Sequence, residues 1–471
     1  MLLQGLSMEK EGFSIGFINH FFFKGMTTMK KLTTLLLAAS MICAASAPAS
    51  AVDVKMDGEY MFSYILGERV GTGDNFDEAG QRLRLGMTFT ANENLSGYLQ
   101  LQAGISGTDT TDYDWGTTNS ANTKLGVRQA YIDWMIPQTT VKVRMGKQLV
   151  GLPQDAFGKN AIMHPGLNSR DGIVVSSPVT DWLDLTAFWV RAGYLSGDGP
   201  FGEIANDTDT SKKSDLFSVA AALKFDGFSV TPYMMYGAID KGNTMQGSTD
   251  GTLNIADGNA YWFGATATMT YFDPFALKLS GAYGTMNYEG VGAPNDRDGW
   301  YIQAKASYKT AYGTPILGGW YGSGDDSDAK YAGQGWIPTV GGRFHPTVGY
   351  CAGEYGLFDT TTRHNIAGTW GVQAGIEDVS FIEDLTHAFT VTYWQGTNDD
   401  KLARGENPWE YMTTSDSVVE FNLVNSYDIY KNLTAVLELS YMITDYDKGD
   451  HGMKNIDKDG WSTALNFAYK F

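Results

Sequence analysis

The chain has 471 residues, a formal net charge of −19, 56 glycines, two cysteines and an aromatic content of 13%. So acidic a chain is not built to hold nucleic acid. With only Cys351 left beyond an N-terminal leader, an intramolecular disulfide is excluded, and stability has to come from backbone pairing and packing.

The leader comes first in chain order. Lys30 and Lys31 precede an apolar run over 32–43, and Ala49-Ser50-Ala51 supplies the small-x-small pattern of a signal-peptidase site, so the mature chain is expected to begin at Val52. Residues 1–28 read as a mis-assigned upstream start, residues 29–51 as the signal peptide and residues 52–471 as one domain. Cleavage after Ala51 removes four basic and two acidic side chains, which moves the net charge from −19 to −21. No uncharged apolar run beyond it has the length of about 18 residues that a membrane-spanning helix needs.

The mature chain alternates instead. The first strand, 54–66, sets Met56, Tyr60, Phe62 and Tyr64 on one face and Lys55, Asp57 and Glu59 on the other. After an acidic loop, 82–91 turns Leu83, Leu85, Met87 and Phe89 one way and Arg82, Arg84, Thr88 and Thr90 the other. Further strands are predicted over 95–104, 127–136, 140–150, 173–180, 183–192, 216–225, 228–237, 260–271, 275–285, 299–308, 315–322, 366–376, 385–394, 418–425 and 433–444. The last, 461–471, alternates without a miss, with Trp461, Leu465, Phe467, Tyr469 and Phe471 on one side. Spans of about ten residues cross a hydrocarbon core when tilted, and closure leaves no backbone unpaired. The expected fold is an all-β transmembrane antiparallel barrel of about 18 strands, or 16 if 173–180 and 315–322 are irregular; a soluble sandwich is the competing fold. Short turns such as Asp226-Gly227 alternate with long polar connections, which orients the turns toward the periplasm. The long loops carry most of the acid, either as a solvated rim or as a divalent-cation bridge to lipopolysaccharide. Asn455 to Gly460 matches half a calcium loop, but its twelfth position is Asn466, so no metal site is expected.

The terminal Phe471 resembles the C-terminal signature by which bacterial outer-membrane barrels are recognised, which implies the barrel-assembly machinery as a partner. Between Leu149 and Arg170 the alternation stops in a nearly neutral connection with Pro153, Pro165, Leu152, Phe157, Ile162 and Met163. This segment resembles the third loop of the general trimeric porins, and Met145-Gly146-Lys147-Gln148 is similar to their Gly-Arg segment before it. The chain from Val52 to Phe471 resembles the outer-membrane homotrimeric porins of sulfate-reducing bacteria. The resemblance implies a homotrimer, a third loop folded into the barrel and passive passage of small hydrophilic solutes. Two departures stand out: Lys147 replaces the expected arginine, and the Pro-Glu-Phe-Gly-Gly core is absent, with Asp155 the only carboxylate before Asp171.

The candidate constriction comprises Arg82, Arg84, Arg128, Lys142, Arg144 and Lys147 on the wall, with Asp155, Lys159 and Arg170 on or beside the loop. Arg128 is ambiguous, since its parity is shared with Ile132 and Trp134. A basic ladder in a narrow section favours small anions, unless Asp57, Glu59 and Asp133 face the same lumen and neutralise it. The loop 323–365, with Trp336, Phe344 and Tyr350, competes for the inward position. Motifs for phosphate, dinucleotide, nucleophilic or zinc chemistry are absent, and His164, His345, His364, His387 and His451 are scattered, so neither enzyme activity nor a cofactor is expected. The rivals are a sugar-selective channel with an aromatic track through Tyr98, Phe188 and Trp394, and an adhesin or envelope scaffold.

Overall fold

The computed structural model describes residues 52–103, 125–165, 169–192, 214–239, 258–288, 296–344, 346–349, 366–402, 411–447 and 458–471. The leader over 1–51 with its cleavage after Ala51, and also His345, Tyr350, Cys351, His364, His451 and the segment 455–457, lie outside the described residues.

Alternation in the sequence becomes eighteen strands. They are β1 Asp53–Glu68, β2 Asn75–Asn92, β3 Leu95–Ala103, β4 Leu125–Met135, β5 Lys142–Leu149, β6 Ser169–Thr180, β7 Leu183–Ala192, β8 Ser214–Phe225 and β9 Phe228–Ile239. There follow β10 Gly258–Met269, β11 Phe275–Tyr288, β12 Arg297–Tyr308, β13 Thr314–Gly322, β14 Thr369–Ile382, β15 Leu385–Gly396, β16 Ser417–Tyr430, β17 Leu433–Asp445 and β18 Gly460–Lys470. Each pairs antiparallel with its neighbours in chain order, and β1 pairs with β18 from Glu59↔Lys470 to Glu68↔Trp461, so the sheet closes. Closure satisfies every edge, the condition for strands in hydrocarbon. The weak segments do form strands, β6 with one register shift at Pro178/Thr180 and β13, and the 16-strand alternative falls.

Side chains divide as the period of two dictates. Phe62, Ile132, Phe263, Ile302 and Leu465 are exposed on the outer face, while Met61, Ser63, Ile65, Ala464 and Asn466 are buried on the inner one. Three predicted details change. The expected acidic loop before Arg82 is largely strand: residues 75–81 pair with 62–68, and Phe76 is buried among Met61 and Ile65, so Asp77 and Glu78 lie in a ladder. β14 begins at Thr369, because Gly368 turns the chain at φ +74 and Ile366 is buried in the lumen; it continues to Ile382 past register shifts beside Asp378 at φ 57. In β4 the register slips at Gln100/Leu101, so Gln129 and Val127 are paired and Arg128 is bulged between them. The parity conflict at Arg128 was the signature of this bulge, which lets Leu125 and Val127 face out along with Ile132 and Trp134.

The largest buried cluster lies inside the barrel. It joins wall residues such as Trp262, Tyr301, Trp320, Trp394 and Met442 to Ile162, Met163, Trp336, Ile337 and Phe344, which come from two connections that re-enter the lumen. At about 1.5–3 kcal/mol per fully buried large apolar side chain, this cluster is the term that holds both connections inside.

Candidate functional site: the constriction

Loop 3, described over residues 150–165, leaves β5 and crosses the lumen to the opposite wall. Its backbone groups find partners there instead of in water: Ala156 N donates to Ser280 Oγ at 3.0 Å and Phe157 N to Gln303 Oε1 at 3.3 Å. Asn160, fully buried, staples the loop to itself, accepting from Ile162 N and Met163 N and donating to the Pro153 carbonyl at 2.7 Å. The Phe157 ring meets Trp320 and Phe344 edge-on, each at 5.8 Å. Asp155 accepts from the Tyr301 hydroxyl at 2.9 Å and from Ala161 N at 2.9 Å, with the Gln303 amide at 3.3 Å. Burial pushes its carboxyl up to about 7, against the pull of the donors from Ala161, Tyr301, Ser280 and Gln303.

The described residues of loop 7, 323–344, 346–349 and 366–368, are inside as well. Trp262 Nε1 donates to the Pro338 carbonyl at 2.7 Å, and Gln373 Nε2 to Pro346 at 2.6 Å. The buried Glu420 carboxylate of β16 accepts from Thr347 Oγ1 at 2.6 Å and Gly349 N at 2.7 Å. The two loops are zipped together by Val340 N to Ile162 O at 2.7 Å, Arg343 N to Asn160 O at 2.8 Å and His164 N to Gly341 O at 3.0 Å. The expected competition between loops is therefore no competition, since both narrow the lumen as one body.

Three predicted constriction residues take other positions. Asp155, 3% exposed, is a mooring between loop and wall and not an eyelet charge, because its oxygens are consumed by wall donors. Arg170, 5% exposed, lies under loop 7 with Nη2 3.4 Å from the Val340 carbonyl. Lys147 shares its cross-strand row with Ala130 and Asp171, on the parity of the outward Ile132 and Ile173, so it belongs to the outer face near the rim.

The remaining wall residues do converge, on the inner face of β1–β5. Arg82 Nη2 lies 2.7 Å from Glu59 Oε1, and Arg84 Nη1 lies 3.7 Å from the same oxygen while its Nε donates to Gln102 at 2.8 Å. Arg144 grips Asp133 with two hydrogen bonds of 2.6 and 2.8 Å, and Lys142 reaches the same carboxylate at 2.9 Å. Arg128 Nη1 donates to Gln100 at 2.7 Å. The Arg144 guanidinium lies over the Tyr131 ring at 3.9 Å, and Tyr131 packs on Tyr98 at 5.3 Å. Five cations thus meet Asp57, Glu59 and Asp133 on one wall, so the acids reduce the basic excess without cancelling it. The loops add more: Lys159 and Arg343 both bear on His164, whose pKa is lowered to about 4 by burial first and by those two cations second. Arg343 was not singled out from sequence; the one signal was its place in the apolar segment from Trp336 to Phe344. Phe188 and Trp394 point inward, as expected, but are covered within the lumen cluster and form no aromatic track. Among the described residues no group of three or more histidine, cysteine or carboxylate side chains is placed to hold a metal ion.

Comparison with known proteins gives a family and a fold. A family model described as Gram-negative porin matches residues 38–375. No curated protein matches the chain. Pseudomonas aeruginosa OccK9 (OpdG) superposes with a TM-score of 0.57 at 12% identity, covering 89% of this chain and 98% of that one. A BenF-like porin from Pseudomonas fluorescens Pf-5 gives 0.55 at 12% identity, with 89% and 98% covered. Pseudomonas aeruginosa OpdK, solved with vanillate, gives 0.53 at 11% identity, with 88% and 98% covered. At such identities the likeness is one of fold.

Proposed function

The chain belongs to the Gram-negative porin family, and from that premise we propose that this integral outer-membrane barrel is a passive diffusion channel for small hydrophilic solutes that prefers anions. The observation that carries the preference is the set of basic side chains around the constriction: Arg82, Arg84, Arg128, Lys142 and Arg144 on the wall, Lys159 and Arg343 on the loops. At an effective dielectric of about 20, one unit of excess charge acts on a monovalent ion at about 7 Å with about 2 kcal/mol, whereas rim carboxylates beyond about 8 Å of water are largely screened. Loop 3, whose single carboxyl Asp155 is spent on the wall, offers no acidic screen opposite the ladder. Swelling of liposomes that hold the purified channel tests the reading: acetate is expected to enter faster than a methylammonium ion of similar size, and Arg82→Gln with Arg84→Gln to narrow the difference. Equal entry in the wild type, with folded channels, refutes it.

A second reading is favoured by one specific observation, the Tyr98–Tyr131 pair set among the arginines. Two rings beside guanidinium groups suit flat aromatic carboxylates, and benzoate blocking the current at lower concentration than acetate would support it. The resemblance of the chain from Val52 to Phe471 to the trimeric porins of sulfate-reducing bacteria supports assembly as a homotrimer, with the short turns in the periplasm. Sedimentation of the detergent-solubilised protein measures that.

A further inference from the structure

Around most of the barrel the outward residues nearest the long loops include aromatic rings: Phe217 on β8, Tyr261 on β10, Tyr283 on β11, Trp300 on β12, Tyr321 on β13 and Tyr441 on β17, all exposed. Such rings sit where hydrocarbon meets headgroups, and they mark wall that faces lipid. On β2–β6 no outward residue in the long-loop half is aromatic. The outward ladder there is aliphatic, running from Leu85 to Leu101 to Val127 on β2–β4 and from Ile132 to Met145 to Ile173 on β4–β6. Trp134 remains outward at the short-turn end of β4, so the gap in the belt is confined to the long-loop half.

The wall is also low on this side. β3 has nine residues and β5 eight, where β1 and β2 have 16 and 18. Eight residues tilted by about 45° rise about 19 Å, less than the apolar band of about 25 Å. Lys147 stands two residues before the end of β5 and Asp171 stands opposite it on β6, so two outward charges lie within the depth of hydrocarbon. Neither has a hydrogen bond or an ion pair among the described residues. Charges facing lipid at that depth are destabilising, and protein is the alternative cover. A phosphorylated lipid headgroup lies above the band and meets Asp171 as a like charge. One cation beside one acid is complemented by a copy of itself, rotated about an axis. Five strands about 4.8 Å apart across that band offer about 600 Å² before side-chain relief, close to the roughly 800 Å² per partner of a standard interface. Resting on the homotrimer reading above, we infer that the outer face of β2–β6 is the contact surface for a second copy of this chain, with Lys147 of one copy paired to Asp171 of the next. The basic wall of the constriction then backs onto the centre of the assembly.

The test is sedimentation of the purified full-length channel in detergent, with heat-modifiable migration on a gel to show that each variant is a folded barrel. The wild type is expected to sediment as a trimer, Lys147→Asp to move most of the protein to single barrels, and Lys147→Asp combined with Asp171→Lys to restore the trimer. Cross-linking keeps the test decisive if the charge variants insert poorly. In a Cys351→Ser background, a short bismaleimide is expected to join copies through Val127→Cys and not through Val372→Cys, which is outward and exposed on β14. Trimers that survive Lys147→Asp unchanged overturn the pairing of Lys147 with Asp171. Cross-linking that does not favour Val127→Cys overturns the assignment of the face and returns β2–β6 to lipid. A wild type that sediments as a single barrel overturns the homotrimer reading itself, so the two failures are distinguishable.

Discussion

Replacing Gly342 with alanine should part the two internal loops. A Cβ at this position lies 1.8 Å from the Ala161 carbonyl oxygen and 2.4 Å from its carbon. Both are backbone atoms, which no rotamer change can move aside. The pairing that must yield consists of the three bonds Val340 to Ile162, Arg343 to Asn160 and His164 to Gly341. At about 1 kcal/mol net for each, the docked arrangement loses about 3 kcal/mol, a shift on the order of a hundredfold toward parted loops. The barrel itself is untouched, because all three bonds lie between loops and none joins two strands. Single-channel recording is the assay: conductance is expected to rise and larger polymers to enter the pore, with the folded barrel still migrating differently before and after boiling. Wild-type conductance and polymer exclusion in a folded Gly342→Ala channel would refute the zipped-loop account.

Asp155 gives a pH dependence whose sign follows from its raised pKa. Its contribution to loop docking is fully present below the ordinary carboxyl value of 3.8 and is lost as pH rises through about 7. Conductance is therefore expected to increase between about pH 5 and about pH 8, and Asp155→Asn to flatten the profile; an identical slope in the variant contradicts the mooring role. Gly58→Val should hinder barrel closure, since a Cβ there meets Phe471 Cζ at 2.3 Å and the Arg84 carbonyl oxygen at 2.9 Å, where Gly58 and Phe471 exchange bonds of 2.8 and 3.0 Å. The fraction of heat-modifiable protein on a gel measures this. Lys147→Gln, on the outer face, is expected to leave the zero-current potential unchanged, and a shift would return Lys147 to the lumen.

Strands were legible because a barrel wall between lipid and lumen imposes the alternation that Trp461 to Lys470 shows residue by residue. Parity placed Arg82, Arg84, Lys142 and Arg144 correctly for the same reason. At Arg128 the pattern carried more than one reading, since a bulge breaks the period of two and shows in sequence only as a conflict. The roles of Asp155 and Arg170 were not legible: sequence gives the charge of a side chain but not which wall covers it, and Asp155 is defined by Tyr301, some 146 positions away. The inward course of loop 7 was half legible, since Trp336 and Phe344 marked it as a candidate for the lumen, but only as the rival of loop 3. Treating one inward loop as the alternative to the other concealed that each supplies the partner surface of the other. Residues 75–81 were lost to a general expectation that acidic stretches are loops; here Phe76 and the pairing with β1 outweigh Asp77 and Glu78.

The central claim is that the cations of the constriction, not the acidic exterior, govern what passes. The zero-current potential of the wild-type channel across a KCl gradient tests it most directly, read at moderate salt where rim charges are screened. A potential of the sign that marks chloride as the more permeant ion is the predicted result, reduced in the channel carrying Arg82→Gln and Arg84→Gln. A potential marking potassium as the more permeant ion, unchanged by those substitutions, would contradict it.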